Sequence, residues 1–339
     1  MNSGERVGVL GMGTWLVDHI KIVDKYPEED TLCTILETKT AGGGCPYNVL
    51  KDLAKMNAPF PLYACGLLGD DSDAESILCD CKNHGIDTSG FIKDPSYPTS
   101  FTDVMTAFDT GRRTFFHHRG SNDNLQARHV DLSKSGAKIF LEGYFGLLAK
   151  LDSCGENGEN GHSALFREAS ERGFITCSDL VSANVDFKAI TAKSLPHLDY
   201  LSVNELELQM LEGTSVPPGQ ATEFETLKKL ADGVLSRGIR KFLIVHFKDG
   251  AYAFGSDGSV FKQGAINFPR EFIKGTTGAG DAFYAGIICG VHFGWNMGEC
   301  LKLGVCAAAQ SLTSASASDG MLPWKECLSL ADKYGFGNI

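Results

Sequence analysis

The chain has 339 residues, 43% hydrophobic and 22% charged, a balance that excludes fibrous and disordered classes. Acidic residues outnumber basic ones by 42 to 31, for a formal charge of −11. That argues against a general nucleic-acid binder and leaves phosphorylated small molecules open, since a local pocket can oppose the global sign. The eleven cysteines are scattered, with no Cys-x-x-Cys pair and no zinc spacing. No leader pattern opens the sequence, and no run reaches the about 18 apolar residues of a membrane helix. The expectation is free thiols in a cytoplasmic protein.

Arg6 to Leu10 reads as a buried strand closed by Gly11-Met12-Gly13. Gly11-x-Gly13 is not a dinucleotide fingerprint, because Leu16 stands where the third glycine belongs. Asp18 follows in an apolar setting, either a turn residue or a hydroxyl acceptor at the carboxyl end of a strand. Thr31 to Thr40 alternates and is β-branched, which predicts a strand. Gly42-Gly43-Gly44-Cys45-Pro46 then breaks it, and helical spacing runs from Tyr47 to Met56. The three glycines are either a plain helix entry or a close backbone approach to a ligand that Asn48 would meet.

Leu62 to Gly66 reads as a strand and Asp73 to His84 as a helix. Ser100 to Phe108 and Arg113 to His118 read as a hairpin around Asp109-Thr110-Gly111. With the earlier strand it predicts a small antiparallel sheet, its strands inserted at about 14–40 and 98–119 of one domain spanning 1–339. Arg119, at the hairpin's end, is the better substrate contact there, since adjacent His117 and His118 point to opposite faces. Exposed edges of such a sheet make a homodimer through it plausible.

Strands at 138–141, 174–178, 200–203 and 241–247 then alternate with helices at 163–172, 204–211 and 223–236. That pattern predicts an α/β fold whose mostly parallel sheet is covered on both faces. A hairpin joins 252–254 to 260–262, and small-residue helices fill 283–316.

Between them lies Gly275-Thr276-Thr277-Gly278-Ala279-Gly280-Asp281, a glycine-rich turn opening a buried helix. Backbone amides and the helix dipole make such a turn an anion site, and Asp281 stands in its first helical turn. Asp281 is either a dipole-stabilising carboxylate or a general base; the dipole is expected to hold its pKa down. Asn204-Glu205-Leu206-Glu207 follows a strand directly. It reads as a capping box or, alternatively, places Glu207 against a magnesium water shell. There is no P-loop, and the protein-kinase motifs are absent.

Four of these motifs, in this order, resemble the ribokinase-like (PfkB) carbohydrate kinases: Asp18, Gly43-Gly44…Asn48, Asn204-x-x-Glu207 and Thr276-Thr277-Gly278-Ala279-Gly280-Asp281. The resemblance covers essentially the whole chain. It implies ATP- and Mg2+-dependent transfer of a phosphoryl group to a hydroxyl of a sugar or sugar-like alcohol. A nucleoside kinase and a non-catalytic sugar-binding protein of the same fold are the alternatives. Asp281 would be the general base, with Gly278, Ala279 and Gly280 as the anion hole. Asp18, Gly43, Gly44, Asn48 and Arg119 would bind substrate. Asn204, Thr276, Gly278, Gly280 and Phe247 would meet the nucleotide, the adenine lying near 308–316, and Glu207 would organise Mg2+ through water. Two positions depart from the family pattern. Gly275 replaces an Asp that helps hold a monovalent cation, so activation by potassium is not expected. Phe247 replaces a glycine beside the phosphates.

Overall fold

The computed structural model describes residues 6–217 and 220–339; the first five residues, part of the stretch read for a leader, lie outside it. A nine-stranded sheet forms the centre, in the order β13-β12-β11-β10-β9-β8-β1-β4-β5. Its strands are β1 (Val9–Gly13), β4 (Leu62–Leu68), β5 (Ile86–Lys93), β8 (Ile139–Phe145), β9 (Ile175–Leu180), β10 (Tyr200–Asn204), β11 (Phe242–Phe247), β12 (Gly250–Gly255) and β13 (Val260–Gly264). The seven strands from β5 to β11 run parallel; β12 and β13 turn back antiparallel at one edge.

Alternation along the strands sends neighbouring side chains to opposite faces. On one face Ile139, Leu141 and Ile244 meet α1 (Cys45–Lys55), α2 (Ser72–Asn83), α8 (Ala279–Phe293), α9 (Met297–Ser311) and α10 (Trp324–Tyr334). On the other, Phe140, Leu201, Leu243 and Val245 meet the short α3 (Ala149–Asp152), α4 (Gly161–Glu171), α5 (Phe187–Thr191), α6 (Glu205–Glu212) and α7 (Phe224–Leu235). Among the described residues no helix is long and apolar enough to cross a membrane.

A second sheet of four strands, β3-β2-β6-β7, stands off the first: β2 (Leu16–Val23), β3 (Ile35–Gly43), β6 (Ser100–Ala107) and β7 (Arg113–His118). It departs from the expectation in one respect: β2 and β6 pair parallel. Gly11 to Gly13 belongs to β1 and not to a turn, so the strand carries the chain straight from the large sheet towards the small one. The strands β2 and β5 and the helix α10 have no counterpart in the sequence reading. Ionic and polar residues such as His19, Lys21, Asp87 and Ser89 interrupt their apolar pattern.

Candidate active site

The site gathers at the carboxyl ends of β1, β8, β9 and β10, where a parallel sheet presents its loops. Gly278 caps α8 in the left-handed conformation, φ 76°. A side chain there would also strike the Cβ of Ala317, at 2.5 Å. The cap lets the chain turn straight into the helix and sets Asp281 in its first turn, only 7% exposed. Asn48 Nδ2 donates to one carboxylate oxygen at 2.8 Å, and the hydroxyl of Tyr144 donates to the other at 3.1 Å. Burial raises the Asp281 pKa to about 6, with these two hydrogen bonds pulling the other way. The expected lowering by the helix dipole is therefore overturned by desolvation.

Asn48 reaches Asp281 because α1 starts at the glycine turn: Gly44 is the cap, φ 99°, and Pro46 sits in the first turn, where its missing N–H costs nothing. Leu16 to Asp18 of β2 pair with Ala41 to Gly43 of β3. A Cβ on Gly43 would lie 3.0 Å from an Asp18 carboxylate oxygen, so the glycine leaves that carboxylate an open face. Burial raises the Asp18 pKa to about 6 as well, opposed by Thr102, Arg113 and His19.

Arg119 does not join this group; its guanidinium pairs with Asp123 at 3.5 Å. The arginine that does is Arg113, on β7. It lies near enough to Asp18 to favour its ionised form, and it donates to the Thr277 hydroxyl of the glycine turn. Arg113 went unremarked in the sequence because nothing there says which of the three arginines Arg112, Arg113 and Arg119 a two-stranded hairpin swings inward.

Phe247 is turned away from the turn, its ring stacked on Tyr252. Its neighbour His246 takes the inner face of β11, packing on Phe283, with Cε1 3.3 Å from where a Cβ on Gly280 would be. Burial lowers the His246 pKa to about 4, so the ring is neutral. The strand is as expected, and within it Phe247 and His246 point to opposite faces, as adjacent strand residues do.

Asn204 and Glu207 form the capping box. Asn204 Oδ1 accepts from the amides of Leu206 and Glu207, and Glu207 Oε2 accepts from the Asn204 amide at 2.9 Å. The other oxygen of Glu207 accepts from Ser182 Oγ at 3.1 Å. The cap does not take Glu207 away from the site, because its charge is felt at Asp179 and it feels Asp281 in turn. Asp179, near the end of β9 and 5% exposed, is the acidic residue missed in the sequence. Burial first, then Glu207 and Asp281, push its pKa well above the usual range. Gly275 is explained by packing: a Cβ there would lie 2.9 Å from the Ala315 backbone.

Comparison with known proteins gives the family and the fold. Residues 9–325 match the model of the pfkB family carbohydrate kinases. A 5-dehydro-2-deoxygluconokinase of Geobacillus thermodenitrificans is 27% identical over 303 residues, 85% of this chain and 83% of that protein. A ketohexokinase of Mus musculus is 24% identical, across 94% of this chain and all of that one. The solved Arabidopsis thaliana ribokinase, complexed with ribose and ATP, superposes with a TM-score of 0.79 at 21% identity, covering 96% of this chain and 98% of its own. With the family model spanning both sheets and every motif above, the chain belongs to the pfkB family of carbohydrate kinases.

Proposed function

We propose that the protein transfers the terminal phosphoryl group of ATP to a hydroxyl of a sugar or sugar-like alcohol, with Asp281 as the general base. The observation that carries this is the Asp281 carboxylate, buried in the first turn of α8 and held by Asn48 and Tyr144. A base with a pKa of about 6 is ionised at neutral pH yet basic enough to take a proton late in the transfer. The small sheet would supply Asp18 and Gly43 to hold acceptor hydroxyls.

The residues fit a magnesium nucleotide. Asp179, Glu207 and Asp281 crowd three carboxylates into one buried region without a facing cation, and Glu207 would hold the ion through water. Bound magnesium would supply charge neutralisation at the phosphates. The amides of Gly278 and Gly280 at the start of α8, with Thr276, would bind the transferring group, and that of Ala279 would join them on leaving the Thr276 carbonyl, to which it donates at 3.3 Å. Arg113 at Thr277 brings a cation to the same spot. Asn204 and the adjoining His246 border the phosphate side, and neutral His246 can donate there without adding charge.

Release of ADP from ATP and magnesium across a panel of sugars and nucleosides tests the reading, with Asp281→Asn as control. Full turnover by Asp281→Asn on the best acceptor would overturn the base assignment. Phosphorylation of nucleosides alone would move the acceptor class, and ligand-induced thermal stabilisation without ADP release would favour a binding protein.

A further inference from the structure

We propose that Cys45, Asp179 and Asp281 form a binding site for a thiophilic divalent cation, zinc by chemical class, whose occupation takes Asp281 out of catalysis. The three side chains come from three elements, α1, β9 and α8, and all are buried. One ligand atom from each lies within 4.8 Å of the others. Some point is then within about 2.8 Å of all three, so rotamer adjustments of well under an ångström reach zinc–sulfur and zinc–oxygen distances near 2.3 and 2.0 Å.

Charge makes the same case independently. Cys45 is fully buried, and the groups its thiol faces are Asp179 and Asp281. Asp179 accepts the Leu180 amide at 2.7 Å, and beyond that its hydrogen-bonding neighbour is the Cys45 thiol, a weak donor. Its remaining electrostatic neighbours are two more acids, Glu207 and Asp281. Buried carboxylates left in this state call for a cation or a proton. Magnesium answers poorly on the sulfur side, because it takes oxygen ligands in an octahedron. A thiolate selects a softer ion.

On binding, the Cys45 thiol releases its proton to solvent and the sulfur binds as thiolate, while both aspartates bind as carboxylates. Three protein ligands leave a fourth position for water. An Asp281 oxygen held by the metal no longer takes a hydroxyl proton. The inhibition rests on the base assignment proposed above; the binding does not.

The test uses the full chain with Cys33, Cys79 and Cys154, the cysteines that reach solvent, replaced by serine. Cobalt(II) added alone is expected to give a near-ultraviolet thiolate-to-metal band at one equivalent, bleached by zinc and lost in both Cys45→Ser and Cys45→Ala. No thiolate band, or a band that survives both variants, overturns the site. In a magnesium-saturated assay, zinc sensitivity is expected to fall about tenfold or more in Cys45→Ser, the scale on which even supporting partners of a metal site matter. A cobalt band at Cys45 without any loss of turnover would keep the site and overturn the inhibition, and the turnover of Asp281→Asn separately decides whether the base assignment stands.

Discussion

The carboxamide of Asn48 and the carboxylate of Asp281 meet at 2.8 Å across 233 residues of chain. This contact ties the glycine turn of α1, to which the proposed function gives the acceptor, to the glycine turn of α8, to which it gives the phosphates. Each helix starts at a glycine with positive φ, and each start aims one polar side chain at the other.

The first prediction concerns the acid limb of catalysis. Asp281 works ionised, so kcat/KM is expected to fall as pH drops through about 6. Burial raises this pKa and the Tyr144 hydroxyl lowers it, so Tyr144→Phe shifts the limb upward, by about half a unit to one unit, each unit being about 1.4 kcal/mol. The plateau above pH 8 changes less. A pH–rate profile in which Tyr144→Phe moves the limb down, or not at all, would contradict the assignment.

Arg113 and Arg119 make a paired test. Arg113 reaches Thr277 and favours ionised Asp18, whereas Arg119 is paired with Asp123. Arg113→Ala is expected to lower kcat/KM by about a hundredfold, typical for one donor at a developing anion. Arg113→Lys recovers only part of this, since an ammonium lacks the planar fork. Arg119→Ala stays within about threefold, in keeping with a surface ion pair of small worth. Equal effects at the two positions would mean the hairpin sits differently during turnover.

Those two arginines also mark how far the sequence could be read. The parallel sheet and the glycine turn were legible because apolar runs and glycine spacing are local signals. Asn48 and Asp281 could be singled out because each follows a glycine turn that opens a helix, whereas Asp18 was singled out after a glycine pair that belongs to strand β1. Arg113, Asp179, Tyr144 and His246 were not, because which face a strand residue takes depends on register against a distant partner. The pKa of Asp281 was misjudged for a related reason. The helix dipole can be read from sequence, but the burial of Asp281 among elements distant in the chain cannot.

Asp52 carries a prediction about stability. It is fully buried on α1, and among the described residues neither carboxylate oxygen has a hydrogen-bond partner at normal distance, the Ser318 hydroxyl and the more distant Lys55 and Lys51 only partly favouring its ionised form. Burial pushes its pKa well above the usual range, so the folded chain holds it neutral. A raised folded pKa gives stability that is present below the unfolded value near 4 and lost as pH rises towards the folded one. Asp52→Asn removes that loss. It is expected to raise Tm by about 2 °C or more at pH 8 and to leave it nearly unchanged at pH 4. Scanning calorimetry at the two pH values reads this directly, and destabilisation at pH 8 would show that Asp52 is ionised and partnered.

Beneath the site, Glu142 on β8 and Asp152 on α3 hold His162 of α4 between them. Burial opposes a charge on His162, but the two carboxylates prevail and raise its pKa to about 9. Asp152 also accepts the amides of Gly146 and Leu148, at 2.8 and 2.9 Å, which fixes the chain just beyond Tyr144. A histidine raised in the folded state contributes stability that is complete below about 6.5 and lost as pH rises through about 9. Denaturant midpoints of the parent are therefore expected to fall between pH 7 and 9.5, and those of His162→Gln to stay flatter. Either His162→Gln or Glu142→Gln alone should cost about 3–5 kcal/mol, because each strands a buried polar partner. The double variant should cost clearly less than the sum, since neither residue is then left charged against nothing. Additive costs in this cycle would mean that the two side chains act separately.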